Sequence, residues 1–427
     1  MTTEGVLDIV AVGLGPANLG LAAAVDELDG DGAEIGAVFL DRRPAFDWHP
    51  DMLLPSSVMQ ISFLKDLATQ RDPTSRFTFI NYLHDRGRLN DFINMQTFSP
   101  TRAEFTDYLE WVVDRLTVDV RWRRSVTRVD LDAEGLCRVQ GTHDGEAFEL
   151  VSRNVVLGVG SRPVLPTWAE RLDDERVIHN TALRSGLGRL GLREGARVAV
   201  LGHGQSAAEV IRYALETLPG AEVHNFISGY GMVPADNSPY ANRVFDPTAV
   251  DDFFFASSEV RNELLQRHRS TNYGCVDSAL LQWLYESEYA DKVAGRRRLH
   301  VRQATVVVDA RSEVDGMSLD VADRLAGEHG QEHFDAVVCA TGFRSDIPAG
   351  LLGSGLHGAD CEGISRDYRL MVDRVPQPVF VVGASRSNHG LGAGLLSNIA
   401  VRSGELLATM GLAVPEQALG AAQVPSR

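Results

Sequence analysis

The first residues that point to a ligand site are the glycines of a turn near the start of the chain. An apolar run, Leu7–Val12, predicts a buried strand. It leads into Gly13-Leu14-Gly15-Pro16-Ala17-Asn18 and then into an alanine-rich helical stretch. Glycine allows a tight turn close to a pyrophosphate, and the N-terminus of a helix offers N–H groups and a positive dipole end. The pattern therefore predicts a Rossmann-type dinucleotide site formed by this turn.

An acidic residue follows the second predicted strand of the same unit. The run Ala37–Leu40 ends on Asp41, beside Arg42. We expect the Asp41 carboxylate to accept ribose hydroxyls of the adenosine. Asn18 stands where the usual pattern has its third glycine, and the spacing to Asp41 is somewhat long. A glycine turn alone is weak evidence, but the order strand, turn, helix, strand and acid favours nucleotide binding.

The pattern returns in the middle of the chain. The run Arg197–Leu201 predicts another strand, and it continues into Gly202-His203-Gly204-Gln205-Ser206 and a helical stretch. We therefore predict a second dinucleotide site, with contacts from Gly202, Gly204, Gln205 and Ser206.

Two late strands are predicted at 335–343 and 379–383, and both run into glycine. We predict an α/β protein with two Rossmann-like dinucleotide-binding domains, the second inserted into the first. The expected boundaries are 1–165 for the first part of the first domain and 166–330 for the inserted domain, which includes a small substrate-binding segment at about 235–290. Residues 331–427 are expected to complete the first domain.

Composition excludes several classes of function. The chain has 58 acidic and 41 basic residues and a net charge of −17, which argues against nucleic acid and anionic membranes as partners. The sequence has neither an apolar run of membrane-spanning length nor a signal-peptide pattern at its start, so we expect a cytoplasmic protein. The four cysteines (Cys137, Cys275, Cys339 and Cys361) are scattered and form no C-x-x-C pair, so we predict no metal site and no redox disulfide.

Longer motifs carry a resemblance to a known family. They lie at 46–49, 59–67, 73–83, 102–111, 236–245, 271–273, 388–391 and 395–397. In them the chain resembles the flavin-dependent N-hydroxylating monooxygenases, the lysine and ornithine N-hydroxylases of siderophore biosynthesis. The resemblance extends from residue 7 to about 407. It implies that the first glycine turn binds FAD and the second binds NADPH.

The resemblance also implies roles for individual residues. Trp48 and Gln60 would lie against the isoalloxazine ring, with Met59 beside it, and His49 and Leu391 would join the FAD site. Asn237 would contribute to the NADPH site. Lys65 and Asn242 would hold the α-carboxylate of an amino-acid substrate, and Thr271 and Asn272 would line its pocket.

Lys65 is notable from composition alone, because only Lys65 and Lys292 among the 41 basic residues are lysines. A compact ammonium suits one carboxylate. A solvated lysine, or an ion pair with Asp66, is the open alternative.

The chemistry implied by the resemblance uses the flavin rather than a catalytic side chain. NADPH would reduce FAD, the reduced flavin would add O₂ as a C4a-hydroperoxide, and the neutral side-chain amine would become a hydroxylamine. An alkyl amine has a pKa of about 10.4, so the pocket must favour its deprotonated form by desolvation. No catalytic residue is assigned.

Several alternatives stay open. L-Ornithine is the first predicted substrate, but many ornithine-specific relatives carry a serine where this chain has Gly392-Ala393-Gly394, so L-lysine, putrescine and cadaverine are alternatives. The strand at 224–228 ends without the arginine that grips the 2′-phosphate in some relatives, so NADH could be tolerated. Two hypotheses from other functional classes also remain open. One is an NAD(P)H-dependent flavin oxidase or reductase, and the other is a non-catalytic flavin-binding homologue. The family suggests a homo-oligomer, expected to be a tetramer, and a product used for a hydroxamate siderophore.

Overall fold

A computed structural model describes residues 5–30, 32–359 and 363–413 of the chain. Within them lie twelve α-helices and eighteen strands, numbered here in chain order. The helices are α1 Pro16–Gly30, α2 Phe79–Asp85, α3 Leu89–Met95, α4 Arg102–Val113, α5 Thr167–Arg171, α6 Leu183–Leu190, α7 Gln205–Thr217, α8 Ala249–Phe255, α9 Ser258–Arg267, α10 Ser278–Val293, α11 Arg386–His389 and α12 Ile399–Thr409. The strands are β1 Leu7–Val12, β2 Ala37–Leu40, β3 Asp119–Arg121, β4 Arg124–Leu131, β5 Cys137–His143, β6 Glu146–Leu157, β7 Arg162–Pro163, β8 Val177–His179, β9 Arg197–Leu201, β10 Glu222–Phe226, β11 Leu299–Arg302, β12 Thr305–Glu313, β13 Gly316–Asp323, β14 His329–Phe334, β15 Ala336–Cys339, β16 Phe343–Arg344, β17 Arg369–Val372 and β18 Val375–Val381.

The first sheet has a parallel centre in the order β3-β2-β1-β6-β18, with β17, β5 and β4 attached in antiparallel fashion. The last four residues of β1 are buried, as expected for a central strand covered on both faces. Helices α1 and α12 pack together on one of these faces. A Cβ at Gly20 of α1 would lie 2.3 Å from Cγ2 of Ile399, so glycine is needed for this close helix contact.

The second sheet is parallel throughout, in the order β11-β10-β9-β15-β8. Alternate residues of β9 point to opposite faces. Val198 and Val200 pack with residues of α7 and α10, whereas Ala199 and Leu201 pack with the antiparallel sheet β12-β13-β14. The predicted α/β fold with two Rossmann-like units is confirmed.

One predicted domain boundary is wrong. Strand β15 was expected to help complete the first domain, but it pairs with β9 in the second sheet, with Val338 opposite Val200. The second unit therefore extends at least to Cys339, beyond the expected end at residue 330. An apolar strand shows burial in its sequence but not which of two parallel sheets it joins, and this explains the error.

Buried contacts fix the two units against each other. Arg102 of α4 donates to both carboxylate oxygens of Glu209 on α7, at 3.0 and 2.8 Å, and to the carbonyl oxygen of Met52. Met52 and Leu54, from the first unit, pack in the core of the second. Asp51 accepts hydrogen bonds from the backbone and hydroxyl of Ser185. These contacts hold the two glycine turns in a fixed relation.

Among the described helices, none combines the length and the apolar character needed to cross a bilayer.

Candidate active site

The first glycine turn lies between β1 and α1 and is closely packed. Gly13 has a φ of 85°, and a Cβ there would lie 2.5 Å from the carbonyl oxygen of Gly158. The Asn18 amide donates to the carbonyl oxygens of Gly13 at 2.7 Å and Val12 at 3.2 Å. A Cβ at Gly158 would meet the Asn18 Nδ2 atom at 2.5 Å. Asn18 therefore takes the position of the expected third glycine and holds the turn through hydrogen bonds. Gly158, which has no Cβ, leaves the space that the Asn18 side chain needs.

Asp41 does not have the environment expected of a ribose ligand. One carboxylate oxygen accepts from the backbone N–H of Leu14 and from Arg43 Nη2, both at 2.8 Å. The other accepts from the backbone N–H and the Nε of Arg43, at 2.8 and 2.9 Å. Because four donors occupy the four lone-pair sites of this carboxylate, it supports the turn rather than a ribose, and the sequence-based role is corrected. Burial opposes its ionisation, but these bonds outweigh burial and lower the pKa of Asp41. Arg42 is exposed.

The residues predicted to meet the flavin lie along one connection after β2. The half-buried Trp48 ring packs 5.1 Å from the His49 ring and 6.0 Å from the Phe105 ring. His49 is exposed and has a φ of 54°. Met59 is buried, whereas the neighbouring Gln60 side chain is exposed. The half-buried Trp48 and the buried Met59 are placed as packing groups, and the Gln60 amide stays accessible to a ligand.

Lys65 is half-buried, and its alternative role as an ion-pair partner of Asp66 is excluded. The Asp66 carboxylate accepts from the backbone N–H groups of Ala68, Thr69 and Phe79. Within the described chain, the Lys65 ammonium forms no ion pair, and it lies 5.9 Å from the centre of the Phe245 ring. Burial lowers the pKa of Lys65, and the charge of Asp246 opposes this only in part. Among the residues that the structure describes, this cation therefore has no ion-pair partner.

Asn242 belongs to the same short 3₁₀ helix, Ala241–Phe245, as the Phe245 ring that Lys65 approaches. In such a helix the side chains at positions i and i+3 share a face, so Asn242 is on the side of Phe245 and hence of Lys65. The Asn242 Nδ2 atom donates to the carbonyl oxygen of Asn237 at 3.2 Å, which orients the amide. The same 3₁₀ helix packs against the turn Leu391–Gly394, where Leu391 is fully buried.

The predicted pocket residues Thr271 and Asn272 end another 3₁₀ helix. The buried Thr271 hydroxyl donates to the carbonyl oxygen of His268 at 2.6 Å. The next residue, Tyr273, lies under Arg386 of α11, with the guanidinium carbon 3.8 Å from the ring centre. This contact brings the segment to the same end of the first unit as Leu391. Arg386 was missed in the sequence because it is 113 positions from Tyr273.

The second glycine turn repeats the first with different parts. Gly202 has a φ of 136°, and a Cβ there would lie 2.3 Å from the carbonyl oxygen of Ala340. The buried Asn225 amide of β10 donates to the carbonyl oxygens of Val200 at 3.1 Å and Gly202 at 2.9 Å. No sequence pattern pointed to Asn225, because its contact depends on the pairing of β9 with β10.

Some of the remaining residues predicted for this site pack within the protein, and others are accessible to a ligand. Gly204 precedes α7 and packs against Gly274, which a Cβ would approach to 3.6 Å. The Gln205 side chain accepts from the backbone N–H of Asp277 at 2.9 Å and donates to Glu209 at 3.0 Å, so it anchors the turn. Ser206 is half-buried and Asn237 is exposed.

An arginine does reach the end of β10, although none follows it in the sequence. Arg324, exposed at the end of the hairpin strand β13, donates to the carbonyl oxygen of Ser228 at 3.0 Å. This position follows the second strand of the unit, where a Rossmann fold binds the adenosine ribose and where arginine accommodates a 2′-phosphate. The segment 224–228 itself contains no arginine, as the sequence shows, but an arginine distant in the chain reaches its end.

Comparisons with known proteins agree with this geometry. A family model for L-lysine 6-monooxygenase/L-ornithine 5-monooxygenase matches residues 5–345. An L-ornithine N(5)-monooxygenase of Burkholderia cepacia is 37% identical over 405 residues, which cover 91% of each chain.

Two solved structures extend the comparison. An ornithine N-hydroxylase of Kutzneria sp. 744, solved with reduced FAD, NADP⁺ and L-ornithine, has a TM-score of 0.88 and 38% identity, covering 95% of this chain and 99% of that one. An L-lysine 6-monooxygenase of Pseudomonas syringae has a TM-score of 0.82 and 31% identity, covering 96% of this chain and 100% of that one.

The resemblance seen in the sequence motifs is thus confirmed, and the chain belongs to the L-lysine 6-monooxygenase/L-ornithine 5-monooxygenase family of flavin-dependent N-hydroxylating monooxygenases.

Proposed function

We propose that the protein is an FAD- and NADPH-dependent monooxygenase that hydroxylates the side-chain amine of L-ornithine with O₂. The observation that carries the proposal is the half-buried Lys65 ammonium, which has no ion-pair partner within the described chain and lies 5.9 Å from the centre of the Phe245 ring. A desolvated cation without a partner is costly, and a substrate carboxylate would satisfy it. The relatives at 37% and 38% identity described above are an L-ornithine N(5)-monooxygenase and an ornithine N-hydroxylase.

The chain fits both cofactors. Gly13 and Gly202 each adopt a positive φ and face a carbonyl oxygen where a Cβ would clash, and each precedes a helix of at least thirteen residues whose first-turn N–H groups suit a pyrophosphate. We assign FAD to the turn around Gly13, Gly15, Pro16, Ala17 and Asn18, where Asn18 shapes the backbone. We assign NADPH to Gly202–Ser206, with Arg324 as the contact for the 2′-phosphate.

When bound and reduced, the flavin supplies the oxygen-transfer chemistry, and the side chains of this protein position the amine for it. Lys65 and Asn242 would hold the carboxylate end of the amino acid and so set the reach of its amine. The Phe245 ring and the buried Leu391 form an apolar wall that excludes water and favours the neutral amine. Met59 and Trp48 would pack beside the flavin, and the exposed Gln60 amide would hydrogen-bond to it.

The turn Gly392-Ala393-Gly394 favours ornithine over a longer amine. A Cβ at Gly392 would lie 2.9 Å from Asn398, and one at Gly394 would lie 3.3 Å from the carbonyl oxygen of Gly383. Ala393 is buried, and its carbonyl oxygen accepts from Arg402 at 2.7 Å. The loss of the serine hydroxyl therefore leaves packed backbone rather than a void. L-Lysine and the diamines remain alternative substrates, and a hydroxamate siderophore or related natural product is the proposed use of the product.

A hydroxylamine-product assay tests the function directly. The purified, FAD-loaded protein would receive NADPH, air and, in parallel, L-ornithine, L-lysine, putrescine and cadaverine. We expect product chiefly from L-ornithine. Product from diamines alone would refute the carboxylate role of Lys65. NADPH consumption that yields only peroxide would favour a flavin oxidase, and failure of NADPH to bleach the flavin without air would favour a non-catalytic protein.

The variant Lys65→Ala tests whether the Lys65 ammonium binds the substrate carboxylate. We expect KM for L-ornithine to rise about 30-fold or more, because truncating one partner of a buried charge pair costs about 2 kcal/mol or more. Anaerobic flavin reduction by NADPH should stay near normal. Lys292→Ala is the matched control, because that lysine is mostly exposed and pairs with Glu288 at 2.7 Å on α10. Equal damage to flavin reduction and to KM would show that Lys65 is structural.

We also propose that the protein forms a homo-oligomer, with a tetramer expected from the family. Ile93 and Met95 at the end of α3 and the following Phe98 are 60%, 61% and 64% exposed, which is unusual for three neighbouring apolar residues. A second copy of the chain would cover them. Sedimentation of the native protein and of Phe98→Ser tests this, and a monomeric native protein would refute it.

The predicted compartment is the cytoplasm. Cys137, Cys275 and Cys339 are free thiols buried in the fold, as is usual for proteins of reducing compartments. Cys361 lies outside the described residues.

A further inference from the structure

Two histidines and a glutamate cluster at the edge of the second parallel sheet. Glu222 and His224 are on β10, and His300 lies directly opposite His224 on β11. One ligand atom from each of the three residues can be chosen so that all lie within 4.8 Å of one another. Nothing in the nucleotide or substrate sites accounts for this arrangement.

His224 is the unusual member of the cluster. Its side chain is only 6% exposed, and neither ring nitrogen has a hydrogen-bond partner. The nearest carboxylate oxygens, from Glu222 and Glu332, are 3.7 and 3.9 Å away, beyond hydrogen-bonding distance. The Phe334 ring closes another side, with ring centres 5.2 Å apart. Because an unsatisfied buried polar group costs about 1–3 kcal/mol, such a group requires an explanation, and an ion is one.

The position of the cluster separates it from the coenzyme. Glu222 is the first residue of β10, whereas the adenosine ribose belongs at the other end, near Ser228. A strand rises roughly 3.3 Å per residue, so His224 lies about 13 Å from that end. The cluster is therefore distinct from the NADPH site.

We propose that Glu222, His224 and His300 bind one transition-metal ion of the Zn²⁺ class. Imidazole nitrogens prefer Zn²⁺, Cu²⁺ and Ni²⁺, whereas Mg²⁺ and Ca²⁺ prefer sets of oxygen ligands. Two histidines and one carboxylate supply three of the four ligands of a tetrahedral zinc site, and water supplies the fourth. The sequence alone predicted no metal, because His224 and Glu222 are 76 and 78 positions from His300.

Binding requires one ring to move. The His224 and His300 rings are stacked, with centres 4.2 Å apart and planes at 8°, so their nitrogen lone pairs are parallel rather than convergent. Zinc–ligand bonds of about 2.0–2.1 Å require the rings to converge on the ion. His300 is half-exposed, and besides the stack its ring is held by one hydrogen-bonding contact, from Nε2 to the carbonyl oxygen of Arg297 at 3.1 Å, so it is the ring that turns. When the ion binds, the His224 and His300 rings therefore no longer stack on each other.

A second cluster in the described chain provides a matched control. Glu313, Asp315 and His333 also lie within metal-binding distance of one another, but both acids are exposed. In this cluster the His333 ring lies 3.8 and 3.5 Å from its two acids, and solvent competes for both carboxylates. We expect this cluster to bind a metal only weakly.

The test is isothermal titration of ZnCl₂ into the chelator-treated, FAD-loaded protein. We expect one saturable ion per chain. His300→Ala and Glu222→Gln should each weaken binding at least tenfold, and His333→Ala should leave it unchanged. The first two change half-exposed side chains, so they avoid the folding risk of replacing buried His224. Flavin reduction by NADPH should be normal in all three variants, which shows that the fold is intact.

Thermal unfolding gives an independent measurement. Zn²⁺ should raise the melting temperature of the native protein, since it binds only the folded state, and should raise that of His300→Ala much less. The proposal is overturned by the absence of a saturable site, by equal affinities in the native protein and in His300→Ala, or by a loss of binding confined to His333→Ala.

Discussion

The two glycine turns of this protein are alike at the proposed pyrophosphate sites and differ at the strand ends that we expect to face the ribose. In each, a glycine with positive φ faces a carbonyl oxygen of a neighbouring strand end, and a buried asparagine amide clamps the turn. The clamp is Asn18 of α1 in the first unit and Asn225 of β10 in the second. One backbone shape is therefore reached through unrelated residues, because the shape alone is what a pyrophosphate requires.

The strand ends that follow the turns differ in charge. In the first unit, Asp41 binds the turn itself through the Leu14 N–H and is neutralised by Arg43. In the second, the strand end has no such acid, and Arg324 lies against Ser228. The first turn is thus held rigid by its own strand, as suits a cofactor that stays bound. In the proposed assignment, the second presents the Arg324 cation to a coenzyme that carries an extra phosphate and must exchange.

The largest expected effect comes from adding a methyl group to the first glycine of each turn. In Gly13→Ala we expect loss of bound FAD. In Gly202→Ala we expect normal FAD content but about 100-fold lower kcat/KM for NADPH, because a strained backbone position costs about 1–3 kcal/mol and the clash with Ala340 adds to it. Flavin absorbance and anaerobic reduction by NADPH measure the two effects.

Gly15→Ala is the control for this pair. A Cβ at Gly15 would have no heavy atom within 4 Å in the protein, so the fold should keep its melting temperature while FAD affinity falls. If Gly13→Ala retained FAD as well as the native protein does, the assignment of FAD to the first turn would be wrong.

The contrast between the turns also shows what a sequence can reveal. Gly13, Gly15, Gly202 and Gly204 were found because a strand, a turn and a helix are adjacent in the chain and leave a local pattern. Asn225 and Arg324 were missed because their contacts depend on strand pairing and on a hairpin about 100 residues away. The role of Asp41 was misassigned since its local position is right for a ribose ligand, and only the fold reveals that Arg43 and Leu14 fill its oxygens. Lys65 was found through the family motif, and the fold then removed its ion-pair alternative.

An intermediate effect is expected from removing the clamps. Asn18→Ala and Asn225→Ala each lose two hydrogen bonds to buried carbonyl oxygens, so each should lower the free energy of unfolding by about 1–3 kcal/mol. Chemical denaturation measures this. Asn18→Ala should weaken FAD retention, whereas Asn225→Ala should weaken only NADPH binding. If both variants lost FAD equally, the two turns would not act independently, and the buried Arg102–Glu209 pair between the units would be the route of coupling.

The smallest expected effect tests the difference between the strand ends. In Arg324→Ala we expect KM for NADPH to rise about tenfold, the equivalent of one charge-assisted hydrogen bond of roughly 1.5 kcal/mol, while KM for NADH stays unchanged. Stopped-flow reduction of the flavin with each coenzyme measures this. Arg311→Ala is the control, because Arg311 is an exposed arginine of the same antiparallel sheet that pairs with Asp320 at 2.9 Å. An equal loss with NADPH and NADH would mean that Arg324 merely anchors the end of β10 through Ser228, and the 2′-phosphate would need another partner.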